Sequence, residues 1–231
     1  MSVFKFKKFN IIQEKSAMKV GTDAVLLASW VSCNNLTNIL DIGCGTGLIS
    51  LMLAQRNTKS KIVGIEIDKI ASKEAKLNIT NSDWKERIEI RNISLQNFNS
   101  KIKFDLIISN PPFFAQNKSH NRRDIARRTN KLSYKELIQR TIKLLENKGT
   151  FSVIIPKDSE EYFCKIAVSN KLHINKKCYI KGNQRSAIKR VMLELSFIKL
   201  KLIIEQLTIE KSRHEYTEKY INLCKDFYLK M

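Results

Sequence analysis

An α/β fold with a mostly parallel sheet and helices on both faces is what this sequence predicts, and three observations carry the prediction. Apolar runs of strand length alternate with helical segments along most of the 231 residues. The first such run of the alternating series ends in a glycine-rich turn that leads straight into a helix. The last two runs follow each other with no helix between them, so they should pair as an antiparallel hairpin at the end of the series.

Taken in order, "VFKFKKF" alternates apolar and lysine positions from Val3 and reads as a short edge strand. "TDAVLLASWV" reads as a helix capped by Thr22 or Asp23, with Val25, Leu26 and Trp30 on its apolar face. The strand "TNILDI" runs into "GCGTG" and a helix from about Gly47 to Gln55. Next come the strand "KIVGIEI", a helix of about Ile70 to Asn78, and a short strand at "RIEI". The strand "FDLIIS" follows, then a helix from Tyr134 to Leu145 with Leu137, Ile138 and Thr141 buried and Lys148-Gly149 as its stop. "TFSVIIP" is a strand, "SEEYFCKIAVSN" a helix, and "LHINKKCYI" and "AIKRVMLELSF" are the paired final strands. Tyr216, Tyr220, Leu223 and Phe227 recur at helical spacing, which predicts a terminal amphipathic helix whose aromatic stripe packs on the core.

The length suits one domain of 231 residues: residues 1–35 as an N-terminal strand and helix, 36–200 as the core, and 201–231 as an extension. No apolar run approaches the roughly 20 residues that span a bilayer, and the opening "MSVFKFKKFN" lacks the apolar stretch of a secretory signal, so a cytoplasmic location is expected. Five scattered cysteines without a C-x-x-C pair or a nearby histidine at ligand spacing read as reduced and mostly buried, with no metal site. The net charge of +20 fits a polyanionic partner such as nucleic acid, although a lysine-rich solvated surface would give the same sum. Clustering is more informative. Lys118, Arg122, Arg123, Arg127, Arg128 and Lys131 crowd one short segment in which Asp124 is the only acid.

The turn "ILDIGCGTG" places Gly43, Gly45 and Gly47 after a buried strand that carries Asp41. Glycines let the backbone turn tightly and approach a ligand over the following helix N-terminus. The G-x-G-x-G spacing differs from the G-x-G-x-x-G of dinucleotide binders. Glu66 closes the next strand, where a carboxylate can accept hydrogen bonds from both hydroxyls of a ribose. Cys44, between the glycines, reads as a small residue whose backbone N–H matters.

The second constellation is "SNPPFF". Ligands in open α/β sheets sit beyond the carboxyl ends of the strands, so Asn110 faces the same crevice as the glycine turn. An amide or exocyclic nitrogen is a poor nucleophile because its lone pair is delocalised. Two acceptors aimed at the NH₂ group, the Asn110 side-chain oxygen and the Pro111 carbonyl, would favour the attacking form and stabilise the positive charge that develops. Proline fixes the carbonyl without offering a donor, Pro112 rigidifies the turn, and Phe113 can stack on a planar substrate. This chemistry suits adenine N6, guanine N2, cytosine N4 or a glutamine side-chain amide.

Together, Asp41, the three glycines, Glu66 and "NPP" resemble the class I S-adenosylmethionine-dependent methyltransferases. The resemblance implies a Rossmann-like, seven-stranded, mostly parallel sheet with a C-terminal antiparallel hairpin. It also implies S-adenosylmethionine as cofactor, held by the glycine turn with Cys44, by Glu66 and Ile67, and by Ser94 and Leu95 after the third strand. Ser94 stands where the family often has Asp at the adenine contact. The match to "FKFKKFNIIQEKSAMKVGTDAVLLASW", "FDLIISNPPFF" and "YTEKYINLCKDFYL" is finer still: these stretches are similar to the bacterial tRNA1(Val) (adenine-37-N6)-methyltransferases. That resemblance implies that Lys19, Gly21, Thr22 and Asp23 help close the crevice, and that the acceptor is an adenine of a tRNA anticodon loop. Phe114 replaces a usual Tyr, and Lys118, Arg122, Arg123, Arg127 and Arg128 would grip phosphates beside the base. Ribosomal-RNA guanine-N2 and release-factor glutamine methyltransferases share the pocket chemistry, and a non-catalytic RNA-binding protein on the same scaffold is the rival outside enzymes.

Overall fold

Residues 2–111 and 132–231 are described by the computed structural model. In chain order their elements are β1 (Val3–Lys5), β2 (Asn10–Ile12), α1 (Thr22–Trp30), β3 (Asn38–Ile42), α2 (Leu48–Arg56), β4 (Lys61–Glu66), α3 (Lys69–Thr80), β5 (Ile88–Asn92) and β6 (Phe104–Ser109). Then come α4 (Tyr134–Leu144), β7 (Leu145–Pro156), α5 (Glu160–Ser169), β8 (His173–Asn183), β9 (Ile188–Ser196), β10 (Ile203–Ser212), β11 (Glu215–Tyr216) and α6 (Glu218–Cys224). The main sheet has the order β11-β10-β8-β9-β7-β6-β3-β4-β5. Strands β3 to β7 run parallel, and β9 inserts antiparallel between β7 and β8. The seven expected strands, β3 to β9, are therefore present with their closing hairpin.

Two strands go beyond that expectation. β10 adds to β8 in parallel and β11 folds back on β10, so the segment after residue 200 widens the sheet before its helix begins. The predicted edge strand β1 pairs with β2 in a separate two-stranded ribbon.

Strand alternation sorts the core into two layers. Ile39, Leu106, Ile108 and Ile154 face α1, α2, α3 and α6, whereas Leu40, Ile42, Ile107 and Val153 face α4 and α5. Burial on both faces explains why these strands read as continuous apolar runs. α4 is held at its start by a capping box in which the Ser133 hydroxyl and the Glu136 carboxylate satisfy each other's backbone N–H groups, a device that stabilises a helix by about 1 kcal/mol.

Two sequence-based boundaries are corrected. Gly149 does not stop α4, which ends at Leu144 and passes directly into β7. A β-carbon there would lie 2.8 Å from both Leu145 Cδ1 and the Phe104 carbonyl, so the glycine serves close strand packing. Nor does Thr22 or Asp23 cap α1. Gly21 holds the N-cap position without a side-chain bond, because the Asp23 carboxylate is turned instead to the Arg190 guanidinium on β9, 2.9 Å away.

Candidate active site

A cleft of about 560 Å³ opens beyond the carboxyl ends of β3, β4, β5 and β6. It lies where a parallel sheet places its ligands, because strands on either side of the first one connect in opposite directions and leave a crevice there.

The floor is the glycine turn. Gly43, Gly45 and Gly47 have φ of 71°, 56° and 86°, a region that residues with a β-carbon avoid. Gly43 N–H and Cys44 N–H both donate to the Ile65 carbonyl, at 2.9 and 3.0 Å, which ties the turn to β4. Cys44 thus gives its N–H to the scaffold, and its thiol is buried beside Gly64, where a β-carbon would come within 3.0 Å of the sulfur. Burial, reinforced by the nearby Asp41 and Glu66 carboxylates, holds that thiol well above its ordinary pKa, so it is a neutral filler.

Glu66 is oriented by two backbone donors: Gly45 N–H at 2.9 Å on one oxygen and Asp68 N–H at 2.8 Å on the other. Each oxygen keeps a lone pair for a further donor. Asn92 steadies the same corner by donating to the Glu66 and Ile67 carbonyls. Asp41 is fully buried beneath the turn and does not line the cleft. One of its oxygens accepts from the Ser50 hydroxyl at 2.7 Å and the other has no hydrogen-bond partner. Burial raises its pKa to about 7, with a smaller push from Glu66 and a partial offset from the Ser50 hydrogen bond.

On the opposite wall, Ser109 is buried at the end of β6 and donates to the Ile42 carbonyl at 2.9 Å, fixing β6 against β3. The next residue, Asn110, presents a buried Oδ1 with no hydrogen-bond partner. A buried acceptor left unpaired costs about 1–3 kcal/mol. Pro111 is buried beside it and also lines the cleft. Pro112, Phe113, Phe114, Lys118, Arg122, Arg123, Arg127 and Arg128 lie outside the described residues.

The remaining wall comes from the N-terminal segment. Lys19, Gly21, Thr22 and Asp23 line the cleft together with Ile67, Ser94 and Leu95. Lys19 folds back to donate to the Gln13 and Glu14 carbonyls, and Val20 N–H donates to the Gln13 side chain at 2.6 Å. Ser94 turns its hydroxyl toward Asn97 N–H, at 3.3 Å, in a tight local turn. Gly47 lies outside the cleft lining and packs on Ala75 and Ile79 of α3.

Two residues not singled out from the sequence dock this segment. Glu74 accepts from Lys15 and Ser16 N–H at 2.7 and 3.0 Å. Asn78, one turn further along α3, exchanges hydrogen bonds with both backbone groups of Ile12 and donates to the Thr46 carbonyl at 2.9 Å, joining the segment to the glycine turn. Their i, i+4 spacing on α3 was the available signal, but polar residues on a helix read as solvent-facing until a partner from elsewhere in the chain is known.

Among the described residues there is no group of three or more His, Cys, Asp or Glu side chains that could hold a metal ion, and no helix long and apolar enough to cross a membrane.

Comparison with known proteins places this geometry. The profile of the methyltransferase small domain family matches residues 15–164. A Phocaeicola vulgatus protein named tRNA1(Val) (adenine(37)-N6)-methyltransferase is 44% identical, covering 99% of this chain and 98% of that one. A Pseudoalteromonas translucida protein of the same name is 42% identical over the whole of both chains. Among solved structures, a predicted O-methyltransferase from Agrobacterium tumefaciens superposes with a TM-score of 0.69 at 19% identity, covering 89% of this chain and 96% of that one. The ribosomal protein L11 methylase of Lactobacillus delbrueckii gives 0.55 at 16% identity, over 75% of this chain and 76% of that one. The chain has the class I methyltransferase fold and belongs to the methyltransferase small domain family, in the group whose members are named tRNA1(Val) (adenine(37)-N6)-methyltransferases.

Proposed function

We propose that this protein transfers a methyl group from S-adenosylmethionine to N6 of adenine 37 in the anticodon loop of tRNA1(Val). The observation that carries the reading is the buried, unpartnered Asn110 Oδ1 in the same cleft as the glycine turn and Glu66. An orphaned acceptor there suits an amino-group substrate. Full-length relatives of that name support the choice of adenine over guanine N2 or a glutamine amide.

The residues fit the cofactor. Gly43 and Gly45 leave open space where a β-carbon would project, Glu66 offers oriented lone pairs for a ribose diol, and Ile67, Ser94 and Leu95 lie where an adenine would be held. Lys19, Gly21, Thr22 and Asp23 close the cleft from the N-terminal side. S-adenosylmethionine supplies a methyl group activated by its sulfonium. Asn110 Oδ1 and the Pro111 carbonyl accept hydrogen bonds from the target NH₂, aim the nitrogen lone pair and stabilise the charge that develops on it. That nitrogen becomes acidic on methylation, so its proton leaves to water and no strong base is required. Pro112, Phe113 and Phe114 keep the role of turn and stacking platform, and the basic segment from Lys118 to Arg128 that of phosphate contacts. A loop adenine is splayed into such a pocket at lower cost than a paired base. We read residues 1–231 as one methyltransferase domain, and a cytoplasmic location follows from its substrate.

The test is to incubate the protein and labelled S-adenosylmethionine separately with bulk tRNA, ribosomal RNA and a release factor, then to identify the labelled product. N6-methyladenosine in tRNA is expected. Label found only as N2-methylguanosine or methylglutamine overturns the reading.

A further inference from the structure

The pairing pattern brings two hairpins to the cleft side of the sheet. Arg190 on β9 stands opposite Pro156 at the end of β7, and Lys181 on β8 stands opposite Ile188. Glu210 of β10 pairs with Asn183 of β8 and, across its other edge, with Tyr216 of β11. Since β6, β7, β8 and β10 all run in one direction, the β8–β9 and β10–β11 turns project from the same edge as Asn110. At about 4.8 Å per strand, they span roughly 10–14 and 19–24 Å along that edge from β6.

The two turns and the strand ends that flank them carry Lys181, Arg185, Lys189, Lys211 and Arg213. All but the half-buried Lys181 are exposed, and none has an ion-pair partner among the described residues. Lower on the same strand the opposite holds: Lys176 lies 3.4 Å from Glu205, and Lys177 2.7 Å from Glu160. Asp158, just beyond β7, is an exposed acid on this edge, while three others near the turns are engaged or half-buried. Asp23 is taken by Arg190, Glu215 accepts from the Ser212 hydroxyl at 2.9 Å, and Glu210 is half-buried.

The first turn is also rigid. Asn183 Oδ1 accepts from Arg185 and Ser186 N–H at 3.0 and 2.9 Å, while the Ser186 hydroxyl accepts from Asn183 N–H and donates to the Asn183 carbonyl, both at 2.9 Å. Arg185 is therefore held out from a fixed tip, which lowers the ordering cost of any contact that it makes.

We propose that the β8–β9 and β10–β11 hairpins form a phosphate-binding rim that holds the body of an RNA substrate while its target base enters the cleft. The inference builds on the RNA-methylating function proposed above and assigns that substrate a second contact surface, separate from the basic segment after Pro112. Unpaired cations on a rigid edge suit a phosphate backbone, which is bound by charge and with little regard to sequence. Strands β10 and β11, which widen the sheet beyond β8, supply half of this rim.

The test compares wild type with a variant carrying Lys181→Gln, Arg185→Gln, Lys211→Gln and Arg213→Gln. A control removes the same charge from exposed positions at the far edge, with Lys59→Gln, Lys101→Gln, Lys199→Gln and Lys201→Gln. Binding of unmodified bulk tRNA is measured against salt concentration, and methyl transfer is measured in parallel. We expect the rim variant to bind tRNA about 10- to 100-fold more weakly and to lower the salt slope by about 3, with the KM for tRNA rising to match. The control should keep most of the slope. Equal losses in the two variants, or an unchanged slope in the rim variant, overturn the proposal. If wild type methylates no RNA, the functional reading fails, and the binding arm still decides whether the rim holds RNA.

Discussion

The two halves of the cleft treat their polar groups in opposite ways. On the side proposed to hold the cofactor, the backbone donors of the glycine turn are engaged by the protein itself: Gly43 and Cys44 N–H by Ile65, and Gly45 N–H by the carboxylate of Glu66. On the acceptor side, Asn110 Oδ1 is buried with nothing to accept from. The first half is shaped in advance by internal bonds. The second presents an unpaired acceptor in the cleft lining, a cost of about 1–3 kcal/mol that a substrate amino group would relieve.

If that contrast is functional, its sharpest break is Asn110→Ala. Turnover should fall by about 10²- to 10³-fold, the range seen when one preorganised polar group is removed from a site of developing charge. Cofactor affinity, measured by calorimetry, should change little. A variant with wild-type turnover would remove Asn110 from the chemistry.

The cofactor half should respond in the reverse sense. Glu66→Ala removes a carboxylate and frees the Gly45 and Asp68 N–H groups, so cofactor Kd should rise by about 10- to 150-fold, the equivalent of a charged hydrogen bond. Turnover at saturating cofactor should fall far less than for Asn110→Ala. Equal damage to kcat in both variants would erase the distinction between the halves.

Much of this was legible in the sequence, for a physical reason. The central strands β3 and β6 and the second half of β7 are buried on both faces, so they appear as apolar runs, and the first glycines and Asn-Pro-Pro follow the ends of β3 and β6, where a parallel sheet puts its ligands. What escaped depends on contacts between distant residues. β10 lies next to the sheet edge with exposed Ile203 and Ile204, and its pairing with distant β8 along most of its length is what makes it a strand. Gly149 resembles a helix stop until Phe104, 45 positions earlier in the chain, is seen against it. Glu74 and Asn78 look like a solvated helix face because the segment that buries them lies about 60 residues upstream.

That last pair provides a third test of how the cofactor half is shaped. Asn78 is buried and joins Ile12 to Thr46, so Asn78→Ala strands backbone groups on both sides. Stability should drop by about 1–3 kcal/mol, seen as a fall in Tm of roughly 3–10 °C for a chain of this size. Cofactor affinity should weaken with it, because the turn loses its tie to the N-terminal wall. A stable variant with normal affinity would mean that the turn holds its shape without this bridge.

The smallest expected effect lies under the turn, at Asp41. Burial raises its pKa to about 7 in the folded chain, whereas an unfolded aspartate releases its proton near pH 4, at about 3.9. Between those values the folded state binds the extra proton. Asp41 therefore stabilises the fold relatively at acid pH, and this contribution is lost as pH rises from about 4 to about 7 and stays constant above that. Other carboxylates pull the opposite way, Glu89 and Glu136 among them with lowered values, so the whole-protein profile will not isolate it. The difference between wild type and Asp41→Asn will. Asparagine can still accept from the Ser50 hydroxyl, and it does not titrate. The Tm difference, wild type minus variant, should decline steadily from pH 4 to pH 7 and level off beyond. A flat difference across that window would show that Asp41 is ionised throughout, and that the turn rests on a buried charge instead of a neutral acid.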